Sequence, residues 1–266
     1  MTESFWTRVG LRVATWAVLA FLYVPLIVLI VYAFNPSRLQ AWPPSGFTLH
    51  WFAETAGNPS VREALVTSLL AGLGATGVAL VLGTLAALAV HRFAFFGRET
   101  ISFLFVLPIA LPGVVTGIAL RTTFQTAGID FGLLTIIIGH ATFCVVIVFN
   151  NVQARLRRTG SSLEQASADL GATGWQTFRF VTFPQLRGAL LAGALLAFGL
   201  SFDEIVVTNF TAPADTQTLP LWIFANLFRP NQAPVVNVVA AVLVIVAVVP
   251  VWLAQKLTDD AAGSRF

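Results

Sequence analysis

The chain has 266 residues, of which 57% are hydrophobic and 10% charged, and a formal net charge of +3. A mean hydropathy of +0.83 and a charged share far below the roughly 25% of soluble domains define a polytopic membrane protein whose length is used up by about six spans, leaving no room for a separate soluble catalytic domain. The single cysteine, Cys144, excludes an intrachain disulfide or a Cys-based metal cluster; His50, His91 and His140 lack zinc-site spacing, and the arginines form no nucleic-acid stripe.

In chain order, the first apolar run, Val13 to Phe34, follows Arg8 and Arg12 and is long enough to cross a core of about 30 Å. It ends in Asn35-Pro36 rather than at a small-residue cleavage site, which marks a retained span. Residues 35–61 read as an outer loop whose prolines and glycines forbid a continuous helix. Its aromatics Trp42, Phe47, Trp51 and Phe52 suit the headgroup level. The second run, Ala64 to Val90, contains Gly72-Leu73-Gly74-Ala75-Thr76-Gly77. This formal GxGxxG lies inside one apolar span instead of between a strand and a helix, so it is read as close helix packing and not as a nucleotide site.

A basic link leads to the third run, Ile101 to Phe124, where Pro108, Pro112, Gly113 and Gly117 imply a bent, closely packed helix. The fourth run, Gly132 to Phe149, is followed by Arg155, Arg157 and Arg158. The fifth, Ala189 to Phe210, is interrupted by Asp203-Glu204, and the sixth, Val235 to Leu253, ends in a polar tail. Six crossings with cytoplasmic termini place Arg8, Arg12, Arg92, Arg98, Arg155, Arg157, Arg158, Arg179, Arg187, Lys256 and Arg265 inside. Only Arg38, Arg62, Arg121 and Arg229 fall outside, so the positive-inside rule supports this orientation. The expectation is an all-α bundle forming a single transmembrane domain over residues 1–266, with a cytoplasmic loop at 152–188 and the aromatic loop at 35–61 outside.

Within the cytoplasmic loop, Ser161 with Glu164, Ser162 with Gln165, and Thr173 with Gln176 have capping-box spacing. Two short helices follow, Leu163 to Leu170 and Trp175 to Val181, with Gly171 ending the first and Pro184 limiting the second. Gln165-Ala166-Ser167, then Gly171 after three residues, then Val181-Thr182-Phe183-Pro184 after nine more, resembles the EAA loop of permease subunits of binding-protein-dependent ABC importers. Gln165, Ser167 and Phe183 depart from that pattern, and Glu164 directly precedes it. The resemblance implies a type I importer permease fold. It also implies that Glu164, Gln165, Ala166, Ser167, Asp169, Leu170 and Gly171 form a coupling helix seated in a cleft of an ATPase subunit.

The chain carries no GxxxxGK[ST] loop, so the expectation is a non-enzyme that binds no cofactor itself, with ATP and Mg2+ held by partner ATPase subunits. A charge such as Asp203 inside a span costs at least about 2.5 kcal/mol unless it meets water or a counter-charge. On one continuous helix Asp203 and Glu204 would point about 100° apart, one toward a pathway and the other available to Arg121 as a neutralising partner. His140 reads as a hydrogen-bonded packing residue rather than a proton relay.

The blocks Ser201-Phe202-Asp203-Glu204-Ile205-Val206-Val207-Thr208, Gln217-Thr218-Leu219-Pro220-Leu221-Trp222 and Pro234-Val235-Val236-Asn237 resemble the second permease of spermidine/putrescine-type importers over nearly the whole chain. That resemblance implies a multi-pass protein of a prokaryotic inner membrane, paired with a homologous permease, an ATPase dimer and an external binding protein. It would pass a small cationic amine by a path including Asp203, Glu204, Trp42 and Trp222. The competing expectations are an importer for a metal ion, amino acid or oxyanion, a stand-alone secondary transporter, and an intramembrane enzyme, for which no nucleophile accompanies His140 and Asp203.

Overall fold

The computed structural model describes residues 5–38, 40–93, 96–98, 100, 103, 107, 110–160 and 162–246. All regular structure among them is helical: α1 (Phe5–Ala33), α2 (His50–Gly57), α3 (Pro59–Arg92), α4 (Gly113–Thr126), α5 (Leu133–Thr159), α6 (Ser162–Asp169), α7 (Gly174–Thr177), a π-helical turn (Phe178–Thr182), α8 (Phe183–Phe202), α9 (Val206–Thr211), α10 (Leu219–Asn226) and α11 (Ala233–Val246). Among the described residues, four helical stretches are long and apolar enough to cross a membrane: Phe5–Ala33, Pro59–Arg92, Leu133–Thr159 and Gly174–Phe202. The expected third and sixth spans are described as the shorter helices α4 and α11. Pro108 and the end of the sixth run lie outside the described residues.

The chain divides into two compact units, residues 1–62 with 223–266, and residues 63–222. In the larger unit the organising element is α5, whose most apolar window is 61% buried, against 39% for the window of α3. Val148, Phe149, Val152 and Leu156 of α5 pack with Ala79 and Ala87 of α3, Leu186 and Ala197 of α8 and Val207 of α9. Small residues on α3 make this approach possible. A Cβ on Gly83 would stand 2.9 Å from the Val145 carbonyl oxygen, and one on Gly74 would stand 2.6 Å from the Ile137 side chain. The glycines of the rejected nucleotide fingerprint serve packing, as sequence spacing implied, except Gly77, beside which there is open space.

In the smaller unit the loop at 35–61 is more ordered than its turn residues suggest. It contains α2, and Trp51 is buried with Ala33, Val238 and Ala241. Trp51 Nε1 donates to the Asn35 carbonyl at 2.9 Å, while the Asn35 side chain accepts from Ser45 Oγ and the Ser37 amide. The headgroup assignment is therefore corrected for Trp51, whose indole N–H has a protein partner, and for Phe52, which packs against this core. Trp42 and Phe47 are the exposed aromatics of the loop.

Candidate functional site

Two places gather the residues singled out by sequence. The first is the polar loop after α5. Its second helix begins as expected: Thr173 Oγ1 accepts from the Gln176 amide at 3.3 Å and the Thr173 amide donates to Gln176 Oε1 at 2.7 Å. Gly171 follows the first helix with φ +78°, the left-handed conformation that closes a helix without a Cβ penalty. The Ala172 amide reaches back to the Ser167 carbonyl at 3.1 Å. The two short helices are joined by Ser167 Oγ and Thr177 Oγ1, 3.0 Å apart.

Pro184 does not limit the second helix. It lies in the first turn of α8, and α7 runs through the π turn directly into that span. Proline offers no N–H to the carbonyl four residues back. The chain widens to a π turn just before it, with the Phe183 amide donating to the Phe178 carbonyl, and helical direction is kept.

The expected coupling residues split by direction. Gln165, Ala166, Asp169, Leu170 and Gly171 are exposed, whereas Glu164 and Ser167 are half-buried. Leu170 is 89% exposed, an unpartnered apolar side chain at the tip of a polar loop. Glu164 faces inward: Arg92 Nη2 donates to Glu164 Oε1 at 2.7 Å, Thr182 Oγ1 donates to the same oxygen at 2.5 Å, and Arg92 also reaches Thr182 Oγ1 at 3.1 Å. Burial pushes the Glu164 carboxyl up, but the hydrogen bonds from Arg92 and Thr182 and the charges of Arg92 and His91 outweigh it and hold it below the usual carboxylate range. Sequence reasoning missed Arg92 and Thr182. The signal was a basic residue closing the second span, with nothing local to say that its partner stands 72 residues away.

The second place is the break in the expected fifth run. The chain is not one helix there: α8 ends at Phe202, Asp203 stands at its C-terminus with φ −90° and ψ 4°, and α9 starts at Val206. The 100° separation argued for a continuous helix therefore does not apply. Glu204 Oε1 accepts the Val207 amide at 2.8 Å, satisfying an unpaired donor of the first turn of α9, while Asp203 is exposed. Arg121 is not the neutralising partner of either acid. It donates to the Phe210 carbonyl at 3.5 Å and lies over the Phe131 ring at 5.3 Å.

The break is held from α5. Thr208 Oγ1 donates to the Glu204 carbonyl at 2.8 Å, so it accepts from His140 Nε2 at 2.8 Å; Nδ1 then accepts from Ser201 Oγ at 2.7 Å. The tautomer follows from this network. His140 thus ties the last turn of α8 to α9 as a fully buried packing residue, and Thr135 Oγ1 adds a bond to the Thr211 carbonyl at 2.7 Å. Of the other two expected path residues, Trp222 is buried at 5% exposure within the larger unit, and Trp42 is exposed in the smaller one.

An apolar bundle with a capped polar loop after its central helix and a broken span beside it is the architecture of a membrane transport subunit. Residues 79–257 match the family described as binding-protein-dependent transport system inner membrane component, and the chain belongs to that family. It is 34% identical over 231 residues to the putrescine transport system permease protein PotI of Escherichia coli K12, covering 84% of this chain and 81% of PotI. It is 32% identical over 245 residues to the spermidine/putrescine transport system permease protein PotC of the same organism, covering 92% of each. A putative 2-aminoethylphosphonate transport system permease protein, PhnV of Salmonella choleraesuis, is 31% identical, with 92% of this chain and 95% of PhnV covered. Among solved structures, a bacterial ABC transporter involved in import of the acidic polysaccharide alginate matches with a TM-score of 0.73 at 15% identity, over 96% of this chain and 99% of that one. The MetNI methionine ABC transporter matches with a TM-score of 0.56 at 19% identity, over 77% and 94%. These two likenesses concern the fold, an ABC importer permease.

Proposed function

We propose that this chain is one of two permease subunits of an ATP-driven importer and forms half of the path for a small cationic amine of the polyamine class. The observation that carries the substrate class is Asp203. It is an exposed carboxylate at a helix break in an apolar span, where water or a cation must offset its cost, while its neighbour Glu204 is engaged in capping α9. The relatives named for putrescine and spermidine transport support the same class.

On this reading an external binding protein delivers the amine, the termini and the loop after α5 face the cytoplasm, and the exposed Gln165, Ala166, Asp169, Leu170 and Gly171 meet an ATPase subunit. ATP and Mg2+ belong to that subunit. A second reading, an aminophosphonate, has the PhnV relative in its favour; it shares the amine but sets a phosphonate against the Asp203 charge. The test is uptake into proteoliposomes holding this chain, its partner permease and the ATPase, supplied with the binding protein and labelled putrescine, spermidine or 2-aminoethylphosphonate. ATP-dependent uptake of the polyamines is expected. Proton-driven uptake by the chain alone would sink the importer reading, and uptake of the aminophosphonate only would sink the substrate class.

A further inference from the structure

A cavity of about 520 Å³ lies between the end of α5 and the start of α8 and is lined by Asn151, Arg155, Arg158, Gln185 and Arg187 together with small residues. No carboxylate is among its lining residues. Arg155 is fixed there, its Nε donating to the Gln185 carbonyl at 3.0 Å, and no ion pair among the described residues reaches Arg158 or Arg187. Arg155 is 22 residues beyond Leu133, about 33 Å along the helix, a distance matching a hydrocarbon core of about 30 Å. On that spacing Arg155 reaches headgroup level, and the shared cavity brings Arg158 and Arg187 beside it.

Arg187 also borders a second hollow, an apolar groove of about 770 Å³ along α3 and α8. Val81, Leu85 and Leu191 of this groove are 58%, 59% and 51% exposed. Leu85 stands seven residues before the end of α3, about 10 Å into the membrane from that end, a depth that a water-soluble partner does not reach. A basic cavity at headgroup level and an apolar groove at chain level, joined at one arginine, match the two halves of a single amphiphile.

We propose that this composite site binds an anionic glycerophospholipid, its phosphate held by Arg155, Arg158 and Arg187 and an acyl chain laid along the groove. Charge complementarity selects an anionic headgroup over a zwitterionic one, and the planar guanidinium forks suit phosphate oxygens. The site is distinct from Asp203 and from the loop tip, and the inference stands whether or not the transported solute is a polyamine.

The experiment is native mass spectrometry of the full-length, delipidated chain titrated with phosphatidylglycerol or phosphatidylcholine, in wild type, R155Q/R158Q/R187Q and the control R8Q/R12Q. Wild type is expected to retain phosphatidylglycerol in preference to phosphatidylcholine. Affinity is expected to fall roughly fivefold for each arginine removed, while the control binds as wild type does. Millimolar inorganic phosphate leaves the lipid in place if the groove contributes, and its displacement of the lipid would reduce the site to a simple phosphate pocket and overturn the proposal. Equal retention of the two lipids, or unchanged phosphatidylglycerol binding in the triple variant, would also overturn it. If the triple variant does not insert, the single variants R158Q and R187Q carry the same test. The readout uses neither solute nor ATP, so its failure is separable from failure of the transport assignment.

Discussion

Arg92, which closes the second span, and Glu164, in the first helix of the polar loop, form an ion pair at 2.7 Å with side chains 30% and 25% exposed. Thr182, two residues before Pro184, donates to the same carboxylate oxygen. Three separate segments, the end of α3, the tip helix α6 and the π turn leading into α8, are thereby fixed to one another. If the exposed face of α6 meets an ATPase subunit, as proposed, this clasp links that face to two spans.

Glu164→Gln removes the charge and keeps the shape. Hydrogen bonds to charged groups are worth about 1.5–3 kcal/mol and exposed ion pairs less than about 1, so a half-buried pair is expected to contribute about 1–2 kcal/mol. The carboxyl is held below its ordinary value. Its contribution is therefore fully present above the unfolded value of about 4.3 and is lost as pH falls through the lower folded value. Thermal unfolding of wild type and E164Q is expected to differ at pH 7 and to converge as pH falls through the lowered folded value; a gap that persists in stronger acid would show that the effect is packing rather than charge. In the assembled importer E164Q is expected to hydrolyse ATP with reduced uptake per turnover.

Gly171 has φ +78° and nothing within 4 Å of a Cβ position, so substitution there tests conformation alone. Gly171→Val is expected to cost about 1–2 kcal/mol locally and to redirect Leu170 and Asp169. The chain should insert normally but lose stimulation of the ATPase and uptake. Wild-type uptake in membranes containing G171V would remove the loop tip from coupling.

Much of the loop was legible because its determinants are local. Thr173 with Gln176, and Gly171 after the first helix, are rules that operate within one turn. Pro184 misled for the same reason: the local rule ends a helix there, but a π turn at Phe178–Thr182 absorbs the missing donor once α8 is anchored on α5. The break at Asp203 was hidden in an apolar run whose hydropathy says nothing of continuity. It depends on His140, 61 residues from Ser201 and 68 from Thr208. Trp51 likewise carried an amphipathic signal that fits a membrane interface, and only the fold supplies the Asn35 carbonyl that its indole needs.

Asp203 and Glu204 are expected to separate on mutation. Asp203→Asn removes an exposed charge at the break, lowering uptake of a dication several-fold with assembly unchanged. Glu204→Ala removes the acceptor of the Val207 amide and is expected to cost about 1 kcal/mol, as loss of a helix cap does. Transport by each variant, measured beside its thermal stability, distinguishes the two roles. Full uptake in D203N would take that carboxylate out of the path.

His140→Ala would leave the Ser201 and Thr208 hydroxyls facing a buried void. Unsatisfied buried donors and acceptors cost about 1–3 kcal/mol each, and a cavity adds to that, so a loss of roughly 3–5 kcal/mol is expected, with α8 and α9 no longer held at a fixed angle. Accelerated hydrogen exchange confined to residues 201–211 is the signature to measure. Uniform acceleration across the bundle would instead mean that His140 stabilises the core generally rather than the break.

Gly83 and Gly77 lie on one helix and differ in what surrounds them, which makes a matched pair for testing how α3 meets α5. A Cβ on Gly83 would stand 2.9 Å from both the Val145 carbonyl oxygen and Val148 Cβ, and 3.0 Å from the Phe149 amide nitrogen. Two of those three atoms are backbone of the central helix, so no rotamer change relieves the contact, and Gly83→Ala is expected to push the helices apart at a cost of about 1–3 kcal/mol. Gly77 has nothing within 4 Å, and Gly77→Ala gains the helix propensity of alanine, about 0.5–1 kcal/mol. Thermal unfolding midpoints in one detergent are therefore expected to move in opposite directions. Destabilisation of similar size by both would mean that the small residues of α3 act as a continuous packing stripe, and a neutral G83A would mean that α5 does not approach as closely as Val145 and Phe149 require.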